Sequence, residues 1–318
     1  MRILITGGAG FIGSNLAEKL LHDSRVSLVR VFDNLATGSL MNLNSFRSNP
    51  RFQFLQGDIR NYDQCLNACN KIDLISHQAA LGSVPRSIAD PLTTNDVNIT
   101  GTLNIFTAAK ESKIKRVVYA ASSSTYGDHP GLPKIEDTIG RPLSPYAVTK
   151  YVNELYADVY ARLYGLELIG LRYFNIFGPR QNPEGPYAAV IPLFIEALLK
   201  NKPAIINGDG SHSRDFTFVD NAVNANVLAL FTKNINAINQ VFNIACGHQT
   251  SLSDLYETLR KSAGSHLQPK HGPDRQGDVK YSLADISKAT ALLEYNPMVS
   301  VEEGLEKTFN WYKGNLTV

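Results

Sequence analysis

Arg2-Ile3-Leu4-Ile5-Thr6-Gly7-Gly8-Ala9-Gly10-Phe11-Ile12-Gly13 opens the chain. Residues 2–6 form an apolar run of strand length. From residue 11 to 22 the spacing of Ile12, Leu16, Leu20 and Leu21 puts them on one face of a helix. The glycines between them supply a tight turn and let a ligand's diphosphate approach the backbone. The helix N-terminus adds free N–H groups and about half a positive charge. Gly8, Gly10 and Gly13 fit G-x-G-x-x-G, and Gly7, Gly10 and Gly13 fit G-x-x-G-x-x-G. A glycine turn between strand and helix is common by itself. What gives this one meaning is Asp33, which ends the next apolar run about 20 residues on. A carboxylate there can accept from both ribose hydroxyls of an adenosine and repels a 2′-phosphate, so the expected cofactor is NAD rather than NADP.

Working outward, strands are expected at Arg2–Thr6, 27–32, Phe52–Gln56, 73–77, 116–121 and Glu167–Tyr173, with helical patterns between them, notably at 94–112 and 144–164. Strand and helix alternating this often imply right-handed crossovers and a parallel sheet covered on both faces. The fold class is α/β: a Rossmann-type doubly wound sheet over residues 1–174. After about residue 175 the pattern loosens. A turn-rich loop at 178–186 is followed by expected helices at 188–200, Val219–Phe231, Leu252–Ser262 and 301–312. Residues 175–318 are read as a smaller α/β substrate-binding domain, with a soft boundary and some interleaving with the sheet.

Composition narrows the class. With 43% hydrophobic and 19% charged residues the chain reads as an ordinary globular protein, and a net charge of +2 with scattered basic residues gives no case for nucleic acid. No apolar stretch approaches the ~20 residues of a membrane span. The run at residues 1–6 is too short for a signal peptide, so a cytoplasmic enzyme is expected. Cys65, Cys69 and Cys246 make neither a disulfide framework nor a zinc site, and no metal is expected.

Several side chains fall where chemistry is expected. Asp58-Ile59 follows the third strand at the carboxyl edge, where ligands sit in open α/β sheets. Asp58 either accepts from an adenine amino group or caps a helix starting at Tyr62. Ala79 and Ala80 are small enough to let the backbone approach a cofactor. Tyr146 and Lys150 sit four apart on one helix face, and Ser122-Ser123-Ser124 ends the fifth strand on the same sheet edge. An ammonium and a positive nicotinamide ring would each lower the phenol's pKa from its usual value near 10, which would let Tyr146 take a proton from a sugar hydroxyl. The alternative is a surface Tyr and Lys that merely neighbour each other.

With Thr6–Gly13, Asp33-Asn34-Leu35, Gly57-Asp58-Ile59, His77-Gln78-Ala79-Ala80, Tyr146 with Lys150, Arg172-Tyr173-Phe174-Asn175 and Arg214-Asp215-Phe216 in hand, the chain resembles the extended short-chain dehydrogenase/reductases, and among them the nucleotide-sugar 4-epimerases. Residues 81–86 and the serine run are most similar to UDP-N-acetylglucosamine 4-epimerases of bacterial polysaccharide pathways. The resemblance implies that Tyr146 is the general base and acid, that Lys150 holds the nicotinamide ribose, and that Ser122 bonds the sugar oxygen. It places NAD against Gly7, Gly10, Phe11, Ile12, Gly13, Asp33, Asn34, Asp58 and Ile59, and against Gln78, Ala79, Ala80, Asn98 and Tyr173 as well as Tyr146 and Lys150. Around the UDP-sugar it places Ser83, Ser122, Ser123, Ser124 and Tyr146, then Asn175, Ala189, Val190 and Asn207. Asn175, Arg214, Arg275 and Asp278 would hold the diphosphate, although an ion pair at the surface is the plainer use of Arg214.

The resemblance also aligns Ser282 with a pocket wall. A bulky Tyr there accompanies glucose and galactose, and a small residue accompanies 2-acetamido sugars; otherwise Ser282 is a solvent-facing loop residue. A 4,6-dehydratase is the first rival, but Ser123-Ser124 stands where that branch carries an Asp-Glu pair. A UDP-glucuronate epimerase or decarboxylase and a non-catalytic NAD-sensing scaffold are further alternatives. A homodimer through the helices at 94–112 and 144–164 is implied as well.

Overall fold

Alternate residues of the central strands bury themselves in two different cores. Ile3, Ile5, Val29, Val31, Val118, Ile169 and Leu171 join one cluster, while Leu4, Phe32, Ile75, Val117, Tyr119 and Leu168 join another. This is the period-two alternation of a strand whose two faces are both covered. Each fully buried Ile, Leu or Val contributes roughly 1.5–3 kcal/mol, so the sheet rests on double-sided burial rather than on its loops.

The computed structural model describes residues 1–183, 189–273 and 280–315. The strands are β1 (Arg2–Thr6), β2 (Leu28–Asp33), β3 (Phe52–Gln56), β4 (Leu74–His77), β5 (Arg116–Ser122) and β6 (Glu167–Tyr173). With Val241–Ile244 added at one edge they form a seven-stranded sheet in the order Val241–Ile244, β6, β5, β4, β1, β2, β3, parallel throughout. The order reverses between β1 and β4. The loops leaving these two strands diverge to opposite faces and open a crevice at their carboxyl ends.

Helices α1 (Phe11–Leu21) and α8 (Val219–Phe231) contribute to the first core, and α2 (Tyr62–Cys69), α5 (Gly101–Glu111) and α6 (Pro145–Tyr164) to the second. Residues 94–112, expected as one helix, are a continuous run of α4 (Pro91–Asn95), a π-helical turn at Asp96–Thr100, and α5. The short α3 (Val84–Ala89) precedes it, with Ser83 as N-cap. The α6 helix starts with Ser144 capping Ala147 N–H and Pro145 in its first turn, and it ends at Gly165 in the left-handed region.

The second half shares the sheet. Its helix α8 covers one face and Val241–Ile244 pairs with β6. The rest forms α7 (Val190–Leu199), α9 (Leu252–Ser262), α10 (Ser287–Leu293) and α11 (Val301–Asn315) with three two-stranded pairs: Ile176–Phe177 with Thr217–Phe218, Ser213–Arg214 with Thr250–Ser251, and Ile205–Asn207 with Lys270–Gly272. Ala188, at the start of the helix expected at 188–200, lies outside the described residues, and α7 begins at Val190.

Candidate active site

Gly7 sits at φ +67°, and a Cβ on it would lie 2.6 Å from the Ala79 nitrogen. A Cβ on Gly13 would lie 2.3 Å from the Gly7 carbonyl oxygen. The first residues after β4 can therefore pack on Gly7, and the start of α1 on the Gly7 carbonyl, only because these two residues lack side chains. Gly10 is the N-cap of α1 and offers no side-chain acceptor, and the first turn carries no acidic residue. That leaves the first-turn N–H groups to an external anion, and the bare cradle fits a dinucleotide diphosphate.

Gly7, Gly10, Phe11, Ile12 and Gly13 line a cleft of about 600 Å³. Asp33 lines it at the end of β2, its carboxylate accepting from Ala9 N at 2.9 Å and Leu35 N at 2.8 Å. Burial pushes its pKa up, against those two bonds. Asn34, Asp58 and Ile59 complete this end. Asp58 accepts from Asn34 at 2.9 Å and pairs with Arg60 at 2.7 Å, and the Arg60 guanidinium holds its carboxyl down at about 2. The capping alternative for Asp58 is overturned: Asn61 caps α2, accepting from Gln64 N.

The other end of the cleft is built from β4, β5 and α6. Gln78, Ala79, Ala80 and Ser83 line it after β4, and Tyr173 at the end of β6. The Tyr173 hydroxyl donates to Gln78 Oε1 at 3.1 Å and accepts from Asn226 at 2.7 Å. Asn98 lies directly behind Leu81, which lines the cleft. It is wholly buried in the π-turn, accepting from Leu81 N at 2.8 Å and donating to Leu81 O and to Thr149 Oγ1 on α6. It shapes the loop that the cofactor would touch.

Ser122, Ser123, Tyr146 and Lys150 face the same cleft. Ser124 is not in the lining; its hydroxyl donates to Ser122 Oγ at 2.8 Å and orients it. Lys150 Nζ donates to the Ala120 carbonyl at 2.8 Å and stands 5.9 Å from the centroid of the Tyr146 ring. Burial lowers the Lys150 pKa to about 8, with Glu154 one turn further along α6 opposing the shift. Glu154 is itself locked in a buried ion pair with Arg172 of β6, 2.7 Å apart. The expected fall in the Tyr146 pKa is absent in the protein alone: burial raises it, and Ser122 only works against that rise.

A second cavity of about 650 Å³ adjoins the first, and Asn175 and Ile176 line both. Asn175, Ala189, Val190, Asn207 and Arg214 line it, gathering five residues expected at the substrate. Phe216 of the Arg214-Asp215-Phe216 motif also lines it, as do His212 and Ile205, which carried no motif that would mark them. Arg214 donates to the carbonyls of Ser213 and Lys280. Ser282 is not in the lining; its N–H donates to Ser213 O at 3.1 Å, one residue from Arg214. Arg275 and Asp278 lie outside the described residues. No cluster of metal ligands occurs among the described residues.

The pattern of the NAD dependent epimerase/dehydratase family matches residues 3–245. The chain is 38% identical over 315 residues to the UDP-glucose 4-epimerase of Mycolicibacterium smegmatis, covering 98% of this chain and 99% of that one. It superposes on the UDP-N-acetylglucosamine 4-epimerase of Methanobrevibacter ruminantium, solved with UDP-N-acetylmuramic acid, with a TM-score of 0.93, 38% identity and 99% coverage of both chains. The UDP-glucuronic acid 4-epimerase of Bacillus cereus, solved with UDP-glucuronic acid and NAD, gives a TM-score of 0.92 at 36% identity, covering 99% and 100%. The chain therefore belongs to the NAD-dependent epimerase/dehydratase family, as an enzyme of its nucleotide-sugar 4-epimerase branch.

Proposed function

We propose that this enzyme interconverts UDP-N-acetylglucosamine and UDP-N-acetylgalactosamine at C4. The choice of sugar is carried by Ser282, a small residue at the position to which the resemblance gives a pocket wall, its N–H bonded to Ser213 beside Arg214. A phenol ring at that place would compete with the 2-acetamido group for space as the sugar turns. UDP-glucose/UDP-galactose is the second reading, since relatives on both substrates match over the whole chain.

Tyr146 holds the proton of the sugar 4-hydroxyl as it leaves and returns. Ser122, oriented by Ser124, bonds the same oxygen and steadies the 4-keto sugar. NAD, which Gly7, Gly10, Gly13, Asp33 and Lys150 would hold in the first cleft, would supply the hydride acceptor and donor for C4. Arg214 and Asn175 grip the diphosphate in the second cavity, with Arg275 and Asp278 proposed to join them. The guanidinium suits that grip because its fork matches two phosphate oxygens. Firm polar anchors at the diphosphate and small serines at the sugar allow rotation without release.

The active form is proposed to be a cytoplasmic homodimer, with residues 1–174 as the cofactor domain and 175–318 as the substrate domain. What supports pairing is an apolar face left open on α4 and α6, where Leu92 is 81%, Leu155 50% and Leu163 67% exposed. Incubating the purified protein separately with UDP-N-acetylglucosamine, UDP-glucose and UDP-glucuronate and following the C4 epimers tests the proposal. Fastest turnover is expected on the acetylated sugar, and no epimer from it would overturn the reading.

A further inference from the structure

In the stretch His212–Phe216 the side chains alternate. Arg214 and Phe216 face the substrate cavity, while Asp215 between them points the other way and is fully buried. Three backbone amides converge on its carboxylate: Cys246 N at 2.9 Å, Gly247 N at 3.0 Å and Ala284 N at 3.2 Å. They belong to two segments, the turn after the edge strand Val241–Ile244 and the stretch 281–285. The backbone carbonyl of Asp215 accepts in addition from the Asn175 side chain at 3.2 Å, and Asn175 stands at φ +41° where the two cavities meet.

We propose that Asp215 is a positioning residue for recognition of the nucleotide diphosphate. Its carboxylate clamps the segment bearing Arg214 to the two others behind it, and its carbonyl fixes Asn175 at the junction. The stretch 281–285 is strapped from several sides. Ser213 bridges Tyr281, Lys134 bridges Ala284, and Arg214 reaches the Lys280 carbonyl. Asp215 joins these bridges to the loop 245–247. Burial holds its carboxyl up at about 6, against the pull of the three amides. A charge kept in so unfavourable a place fits an acceptor for several donors that a neutral side chain could not satisfy together. When Asp215 is replaced, Arg214 and Asn175 keep their chemistry but lose their relative placement.

The inference rests on the nucleotide-sugar reading, and binding of UDP alone separates the two. Turnover of each sugar tests the substrate, whereas UDP affinity tests the clamp. In the NAD-loaded enzyme, Asp215→Asn keeps the size but turns an amide NH₂ toward a backbone N–H. Roughly tenfold weaker UDP binding by calorimetry is expected. KM for the UDP-sugar should rise in step, with kcat within about threefold of wild type and bound NAD unchanged. Ala284→Pro removes a single donor from the same carboxylate and should move UDP affinity in the same direction; it decides the question if Asp215→Asn does not fold. Wild-type UDP affinity and KM in folded variants, with only thermal stability lowered, would overturn the proposal.

Discussion

Lys150 donates its ammonium to the Ala120 carbonyl at 2.8 Å and so faces the Tyr146 ring at 5.9 Å rather than bonding its hydroxyl. The phenol gains no direct ion-pair partner from this lysine. Burial raises the phenol's pKa, with the hydrogen bond to Ser122 opposing the rise. On the proposed mechanism, the positive charge that NAD would bring to the cleft is what would favour ionisation of Tyr146.

Asp33 has a double load, since it accepts from Ala9 and Leu35 and faces the cleft. Asp33→Ala should weaken NAD binding by roughly 1.5–3 kcal/mol, the range for hydrogen bonds to a charged group, and narrow the preference over NADP. Calorimetry on cofactor-stripped protein checks this, and unchanged affinity would remove Asp33 from the site.

His77 sits wholly buried beneath the glycine loop in a directed chain of hydrogen bonds. The Thr102 hydroxyl spends its proton on the Asn98 carbonyl at 2.6 Å, so it accepts from His77 Nε2–H at 3.0 Å. Nδ1 then accepts from Thr6 at 2.6 Å, and Thr6 accepts from Ala79 N–H at 3.3 Å. Burial, then Lys150, lowers the imidazole pKa to about 3. For a lowered base the stabilisation is complete above the unfolded value of about 6.5 and is lost as pH falls toward 3. Stability should drop by on the order of 2 kcal/mol from this group between pH 7 and 5, a slope that His77→Gln removes. Nitrogen NMR should show the Nε2–H tautomer throughout; an ordinary titration near pH 6.5 would contradict the assignment.

Ser282→Tyr should suppress turnover of UDP-N-acetylglucosamine by tens-fold, the effect of ~1–3 kcal/mol of over-packing, and retain or raise turnover of UDP-glucose. Parallel assays of the two sugars measure the ratio. An unchanged ratio would show that Ser282 does not reach the sugar.

The doubly wound sheet was legible because β1 to β6 are short apolar runs punctuated by glycine and polar turns. Val241–Ile244 was not: a four-residue strand interrupted by Asn243 carries almost no periodic signal, and its partner β6 is about 70 residues back in the chain. The cofactor loops were legible because backbone approach demands glycine or alanine at fixed places, such as Gly7 against Ala79. The contacts that Asn98 and Ser124 make with Leu81 and Ser122 were not legible, since sequence gives the region of a side chain but not its partners. Asp215 stands in the Arg214-Asp215-Phe216 motif, where sequence alone gives a role to Arg214 and none to its neighbour. Three amides from distant segments meet it only after folding.

The central claim is proton transfer by Tyr146 in C4 epimerisation, and Tyr146→Phe removes only the ionisable oxygen. Initial rates of UDP-N-acetylgalactosamine formation from UDP-N-acetylglucosamine should be compared for NAD-loaded wild type and variant, with bound NAD and circular dichroism measured on the same samples. The account predicts a fall of ~10²–10⁴-fold with NAD content and fold intact. A variant that stays folded, keeps its NAD and retains more than about a tenth of the wild-type rate, well short of that range, would contradict it.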